Sequence, residues 1–382
     1  MKPVSRKSLL IALFISVFPA VTHADSLADE KDLLRSAAVQ VLIDELGIRE
    51  SGIPSRDLPG WAPPKKVLLR IDNEERLAEF RAVVPGVEIV AVSDAREAAD
   101  QASDAQVLIG FCTEEILSAG PDLHWVQVYS SGVENCVSIP EMKDGKKLLT
   151  NGQRIASPAL AEHAIAMMMT LARGLDVFHI NQLNNSWQRS VNLGSGEFME
   201  LAGRTVLVVG LGGIGTQVAM RAHGLGMRVI ATRNSRREGP DYVEYVGLAD
   251  ELLELAGQAD VVINTAPLTA QTRGLFDKHF FAAMRPTAYF ISVGRGASTV
   301  TGDLVAALNE GEIAGAGLDV TDPEPLPADH VLWKTPRVII SPHTAGRSDK
   351  SRERLYLLVQ ENLRRYTKGQ PLLSVVDIER GY

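Results

Sequence analysis

The chain has 382 residues and a formal net charge of −8. That length is enough for two ordinary domains, and 45% hydrophobic against 23% charged residues is the balance of a soluble globular protein with a sizeable core. A sequence pI near 5.6 argues against nucleic acid or an anionic membrane as partner, since both ask for clustered Lys and Arg.

Residues 1–24 read as a secretory signal peptide. Lys2, Arg6 and Lys7 give a positive start, and Leu9 to Val21 form an apolar run short of a comfortable membrane span. Thr22-His23-Ala24 then supplies a cleavage site before Asp25. The alternative is an uncleaved anchor or a misread start. The expected location is periplasmic or secreted, with no membrane contact in the mature form, and cytoplasmic if the leader does not function. Ser5-Arg6-Lys7-Ser8-Leu9-Leu10 resembles a twin-arginine export signal with Lys in place of the second Arg.

Residues 25–64 read as an N-terminal extension and linker. Apolar positions recur at helical spacing over 28–47 and stop near Gly47. Gly52, Pro54, Pro59, Gly60, Pro63 and Pro64 then read as linker. From residue 65, short apolar runs at 67–71, 87–92, 106–110, 125–129 and 147–149 alternate with helical patterns, the habit of a parallel α/β sheet. Residues 158–174 predict a buried helix, apolar nearly all round, with Met167, Met168 and Met169 as core filler. A second α/β series starts at Thr205. Its strands are expected at Val206–Val209, Arg228–Ala231, Val261–Asn264, Tyr289–Val293, Gly315–Leu318 and Val338–Ser341. A polar helix follows from about Ser348 to Lys368.

The strand at Thr205 runs straight into Gly210-Leu-Gly212-Gly213-Ile214-Gly215, and a helical pattern follows. Gly210 suits the tight turn, Gly212 the close approach of a pyrophosphate, and Gly215 the packing of helix on strand. The pyrophosphate would sit on free N–H groups at the helix N-terminus. Strand, GxGxxG, helix and second strand in that order predict a pyridine dinucleotide site. An NAD site usually ends its second strand with a carboxylate. Here that end reads Thr232-Arg233-Asn234-Ser235-Arg236-Arg237. The guanidinium groups suit a 2′-phosphate, so NADP is preferred and NAD remains possible.

Three later segments end strands of the second series: Val293-Gly294-Arg295-Gly296, Gly317-Leu318-Asp319-Val320 leading to Glu324, and Ser341-Pro342-His343-Thr344-Ala345-Gly346. In a doubly wound sheet such strand ends border the ligand crevice, so Arg295, Glu324 and His343 are expected to converge.

These segments resemble those of the D-isomer-specific 2-hydroxyacid dehydrogenase family. So do Asn264-Thr-Ala266-Pro267-Leu-Thr269 with Thr272-Arg-Gly-Leu275, and the Ala161-Glu162 helix start. The resemblance covers roughly residues 65–370. It implies two Rossmann-like doubly wound parallel α/β domains with the active site in the cleft between them, usually in a homodimer. Residues 65–157 with 348–382 would form the substrate domain, and 158–347 the dinucleotide-binding domain. Ala266, Pro267, Thr272, Val293, Gly294, Asp319 and Ala345 would line the cofactor. Ser131, Gly132 and Val133, within Tyr129-Ser-Ser-Gly-Val-Glu-Asn135, would meet the substrate carboxylate.

The residue types suit the chemistry. Arg295 would bind the carboxylate of a small 2-oxo or 2-hydroxy acid and polarise its 2-oxo group. His343 would move the proton, and Glu324 would orient His343 and support its protonated form. Formate dehydrogenases of the same superfamily have Gln where this chain has Glu324, which disfavours that activity. The stretch after the last helix leaves no room for the regulatory domain of long phosphoglycerate dehydrogenases. Two other functions compete: a corepressor-like, dinucleotide-sensing binding protein, and an exported protein whose cofactor is structural. No metal site is expected. Cys112 and Cys136 read as two free thiols, with a single bridge left open for an exported protein.

Overall fold

The computed structural model describes residues 23–381. Residues 1–22, most of the expected leader, lie outside them. The described chain begins in a helix, His23–Leu46, that ends where Gly47 adopts φ +63°. The strands, in chain order, are β1 (Glu50–Pro54), β2 (Lys66–Arg70), β3 (Glu88–Val92), β4 (Val107–Ile109), β5 (Trp125–Gln127), β6 (Leu148–Thr150), β7 (Thr205–Val209), β8 (Arg228–Thr232), β9 (Tyr245–Gly247), β10 (Val261–Asn264), β11 (Tyr289–Ser292), β12 (Gly315–Leu318), β13 (Val338–Ile340) and β14 (Pro371–Leu373).

Two parallel sheets result. One has the order β3-β2-β4-β5-β6, the other β13-β12-β11-β10-β7-β8-β9. Runs such as Thr205–Val209 and Val261–Asn264 are buried along their whole length, as parallel strands covered by helices on both faces must be. In the larger sheet the strand order reverses between β7 and β10. That switch point opens a crevice at the strand C-termini. These are two Rossmann-like α/β units, as the alternating pattern predicts.

The helix Ser157–Ala172 packs its buried Ala161, Ala164, Met168 and Leu171 into one core with Val206, Val208, Ala219 and Ile291. The helix Ser351–Thr367 returns to the smaller sheet. Its sequence looks polar, yet Leu358, Val359, Leu363 and Tyr366 are buried, and Tyr366 stacks on Trp125 with ring centroids 5.0 Å apart. Buried Asn362 joins Gln127 Oε1 at 3.1 Å and exchanges two bonds with the Leu373 backbone. Glu361 is held by Arg364 and Arg365, which keep its carboxyl below the usual range against the opposing effect of burial.

The extension differs from the linker that its glycines and prolines predict. β1 pairs antiparallel with β14, and Val39, Leu42, Leu46 and Ile48 pack on Ile155, Leu358 and Leu373. A short edge strand tolerates Gly52 and Pro54 because its outer side needs no ladder partner.

Candidate active site

The Gly210 turn has the shape the dinucleotide reading requires. Gly210 sits at φ +92°, and a Cβ there would come within 2.9 Å of the Ala266 backbone. A Cβ on Gly215 would lie 2.3 Å from Gly210 O, so helix and strand pack with no room for a side chain. A Cβ on Gly212 would meet nothing within 4 Å, which leaves a bare approach to the turn. Leu211 N and Gly210 N both donate to Thr232 O, tying the turn to the end of β8. The bond from Thr216 N to Gly212 O, 3.0 Å, leaves the N–H groups of Gly213, Ile214 and Gly215 at the helix N-terminus. An anion fits there.

Across the crevice, Thr265 Oγ1 donates to Gly210 O at 2.7 Å, and Ala266 N donates to Asn264 Oδ1 at 3.0 Å. Thr272 Oγ1 donates to Pro267 O at 2.6 Å, which closes the loop from Ala266 to Thr272. Val293 is buried, and Gly294 lies so near Asn264 that a Cβ would meet Ala266 O at 2.8 Å.

Beyond the end of β8, Arg237 is taken up by Glu251 at 2.7 Å and Tyr245 Oη at 3.0 Å. Arg233 stays half-buried with its Nε unpartnered, and Arg236 is exposed. Burial, then neighbouring Arg236 and Arg49, push the Arg233 guanidinium down from its ordinary range. A buried, unsatisfied donor at this strand end fits a bound phosphate.

β11, β12 and β13 are adjacent and parallel, so Arg295, Glu324 and His343 all leave the same sheet edge. The turn after Arg295 packs tightly on the next segment, since a Cβ on Gly296 would fall 1.8 Å from Thr321 O. His343 Nδ1 meets Glu324 Oε1 at 2.5 Å, with both side chains partly exposed. His343 itself adopts φ +52°. Asp319 holds that conformation: its O accepts from His343 N at 2.8 Å, and its carboxylate accepts from Thr344 N, Ala345 N and Ser341 Oγ at 2.9, 3.0 and 2.6 Å. The Asp319 side chain is fully enclosed, so its bonds go to the His343 loop.

Arg295 reaches across to the smaller sheet's loop. Its Nε donates to Glu134 Oε1 at 3.0 Å and its Nη1 to Gly294 O at 2.9 Å. Its Nη2 is 2.1 Å from where a Cβ on Gly132 would stand, so only glycine lets the two approach. That loop is braced by Ser131 Oγ on Gly152 O and by Asn151 Nδ2 on Ser131 O. The N–H groups of Ser131, Gly132 and Val133 have no acceptor among the described residues.

Sequence reasoning gave three nearby residues no role. Glu134 lies inside the quoted loop, but its pairing with Arg295 is a contact across 161 positions. His163 Nε2 contacts Ser341 Oγ at 2.8 Å; the neighbouring Ala161-Glu162 motif was the available signal. Arg154, in the link after β6, faces Gly213.

The cysteines correct the expectation of free thiols. Cys112 and Cys136 form a disulfide, Cα–Cα 5.5 Å, because β4 and β5 are neighbours and bring the chain after each strand together. The bridge ties the segment after β4 to the helical turn that follows the Ser131–Val133 loop. It closes 24 residues, which in the loop-entropy picture is worth about 3 kcal/mol. Reduction, or Cys136→Ser, is expected to lower the melting temperature by several degrees and to raise KM for an anionic substrate. A scan with and without reductant that shows no change would contradict this.

Comparison with known proteins identifies the family of this fold. A family model described as D-isomer specific 2-hydroxyacid dehydrogenase, NAD binding domain, matches residues 165–345. A glyoxylate reductase from Korarchaeum cryptofilum is 31% identical over 327 residues, covering 83% of this chain and 94% of its own. The human glyoxylate reductase/hydroxypyruvate reductase is 31% identical, over 67% of this chain and 78% of its own. The solved structure of an NADPH-dependent glyoxylate/hydroxypyruvate reductase from Sinorhizobium meliloti, in complex with NADP and sulfate, superposes with a TM-score of 0.71 at 26% identity, over 83% of this chain and all of that one. The chain belongs to the D-isomer specific 2-hydroxyacid dehydrogenase family.

Proposed function

We propose that the protein is an NADP-preferring reductase of small 2-oxo acids, with Arg295, His343 and Glu324 as its working side chains. The observation that carries this is the His343–Glu324 contact of 2.5 Å at the sheet edge from which Arg295 also extends. The bound nicotinamide cofactor supplies or takes the hydride.

The substrate carboxylate sits between Arg295 Nη2 and the free N–H groups of Ser131, Gly132 and Val133. Glu134 and Gly294 O occupy the other edges of the guanidinium and fix its plane. A planar fork held in this way matches a carboxylate. His343 uses Nδ1 on Glu324, which leaves Nε2 to give a proton to the carbonyl oxygen and to accept it in reverse. Glu324 fixes the ring and balances its charge. Asp319 and Ser341 set the loop that presents His343.

The NADP preference is supported by Arg233 and Arg236 at the end of β8, where no carboxylate stands. Export to an oxidising compartment is supported by the leader pattern and by the Cys112–Cys136 bridge.

The test is oxidation of NADPH and of NADH with glyoxylate, hydroxypyruvate and pyruvate. Turnover is expected with at least one of these acids, with kcat/KM about tenfold or more higher for NADPH. No turnover with either cofactor would leave a dinucleotide-binding protein and contradict the enzyme reading.

A further inference from the structure

Four arginines from three separate parts of the chain lie within electrostatic reach of one another, and Arg154 among them stands against the Gly210 turn. Arg233 and Arg236 follow β8. Arg154 lies in the link before the Ser157–Ala172 helix, with its Cγ 2.8 Å from where a Cβ on Gly213 would stand. Its Nη1 donates to Leu46 O at 3.1 Å, at the C-terminal end of the His23–Leu46 helix. That side chain therefore spans from the cofactor turn to the N-terminal segment. Arg49 follows just beyond Gly47, and its carbonyl accepts from Ser374 N at 2.9 Å.

The charges feel one another. Burial first, then Arg49, Arg233 and Arg236, push the Arg154 guanidinium down from its ordinary range. Arg233 is pushed down by burial, then by Arg236 and Arg49, with Glu238 in weak opposition. None of the four makes an ion pair among the described residues. Elsewhere in the fold several half-buried or buried arginines hold carboxylates, among them Arg221 with Glu162, Arg337 with Asp176, and Arg365 with Glu361. Arg233 also keeps a buried Nε with no partner. Arg154 and Arg233 are partly buried, and like charges held so without an ion pair are costly unless an anion joins them, while exposed Arg49 and Arg236 add to the positive field. The pyrophosphate already has the helix N-terminus. Arg233 and Arg236 put positive charge at the end of β8, where the adenosine ribose of a dinucleotide lies in this fold, and Arg154 and Arg49 act on it from the side of the N-terminal segment.

We propose that Arg49 and Arg154 join Arg233 and Arg236 in one site for the 2′-phosphate of NADP(H), so that the N-terminal segment before β1 forms part of the cofactor pocket. This rests on the NADP preference proposed above. The ligand chemistry is a phosphate monoester dianion, which guanidinium forks bind by charge-assisted hydrogen bonds. The packing of Leu42, Leu46 and Ile48 on Ile155 and Leu373 holds the backbone before Arg49, and the pairing of Glu50 with Leu373 holds it after.

The test is Arg49→Gln in the full chain, with binding of NADPH and NADH read by nicotinamide fluorescence and of 2′,5′-ADP by calorimetry. NADPH and 2′,5′-ADP are expected to bind about tenfold more weakly, and NADH within about twofold of the wild type. Added salt should shrink the difference. Arg154→Gln should act in the same direction. Arg49→Lys, which keeps the charge, should retain most of the NADPH affinity, and this separates a charge effect from a folding defect. Unchanged NADPH binding in Arg49→Gln, or an equal loss for NADH, would overturn the proposal. A wild type that binds NADH as tightly as NADPH would defeat the NADP reading itself. A wild type that prefers NADPH, with a variant that keeps the preference, would defeat only the role of Arg49.

Discussion

Replacing His343 by Gln is expected to lower kcat for 2-oxo acid reduction by about 10²–10⁴-fold, while NADPH binding stays within about twofold. The loss corresponds to about 3–5 kcal/mol of transition-state stabilisation. Gln can keep a hydrogen bond to Glu324 but cannot deliver a proton. The effect should fall on kcat because His343 lies beyond the turn that holds the cofactor. Its loop is held by Asp319 through backbone bonds, which the substitution leaves in place. Steady-state kinetics with a parallel fluorescence titration of NADPH would check both halves. A variant that loses NADPH binding in step with turnover would make His343 a structural residue.

Arg295→Gln is expected to lower kcat/KM by about 10²–10³-fold, with a large share in KM. Two losses combine. The substrate carboxylate loses its charged fork. Glu134, now paired with Arg295 Nε at 3.0 Å, is left facing the incoming anion and repels it. Arg295→Lys should fall between, since Lys keeps the charge without the planar fork. Removing the repulsion as well, with Glu134→Gln in the Arg295→Gln background, should recover part of KM. If the double variant is no better than Arg295→Gln alone, Glu134 does not act through charge. These rates are best measured below KM, where kcat/KM reads the free enzyme and free substrate.

Much of this site can be read along the sequence because its parts lie at strand ends. Buried parallel strands are short apolar runs, so Val206–Val209 and Val261–Asn264 stand out. The glycines after the first of them then have a physical reason at each place. Arg295, Glu324 and His343 follow three neighbouring strands, so their common edge follows from the topology. What stays hidden depends on partners distant in sequence. β1 has a glycine and a proline and gains its strand character from β14, more than 300 positions away. The Ser351–Thr367 helix reads as polar because its buried Glu361 and Asn362 are satisfied by Arg364, Arg365, Gln127 and Leu373. The two cysteines carry no spacing signal and are joined only because β4 and β5 lie side by side. Arg154 is a single charge in a chain with 39 Lys and Arg, and only folding brings it to the Gly210 turn.

Asp319 shows the same limit at closer range. Its position in the motif suggests a cofactor contact. In the fold its oxygens accept bonds from Ser341, Thr344 and Ala345, so its visible work is to set the pose of the His343 loop.

Hydride transfer to a 2-oxo acid is tested most directly by reducing hydroxypyruvate with NADPH deuterated at the transferring position and analysing the product. D-glycerate with deuterium at C2 is the expected product. L-glycerate or unlabelled glycerate would contradict this, as would no turnover of hydroxypyruvate, glyoxylate and pyruvate alike with NADPH bound.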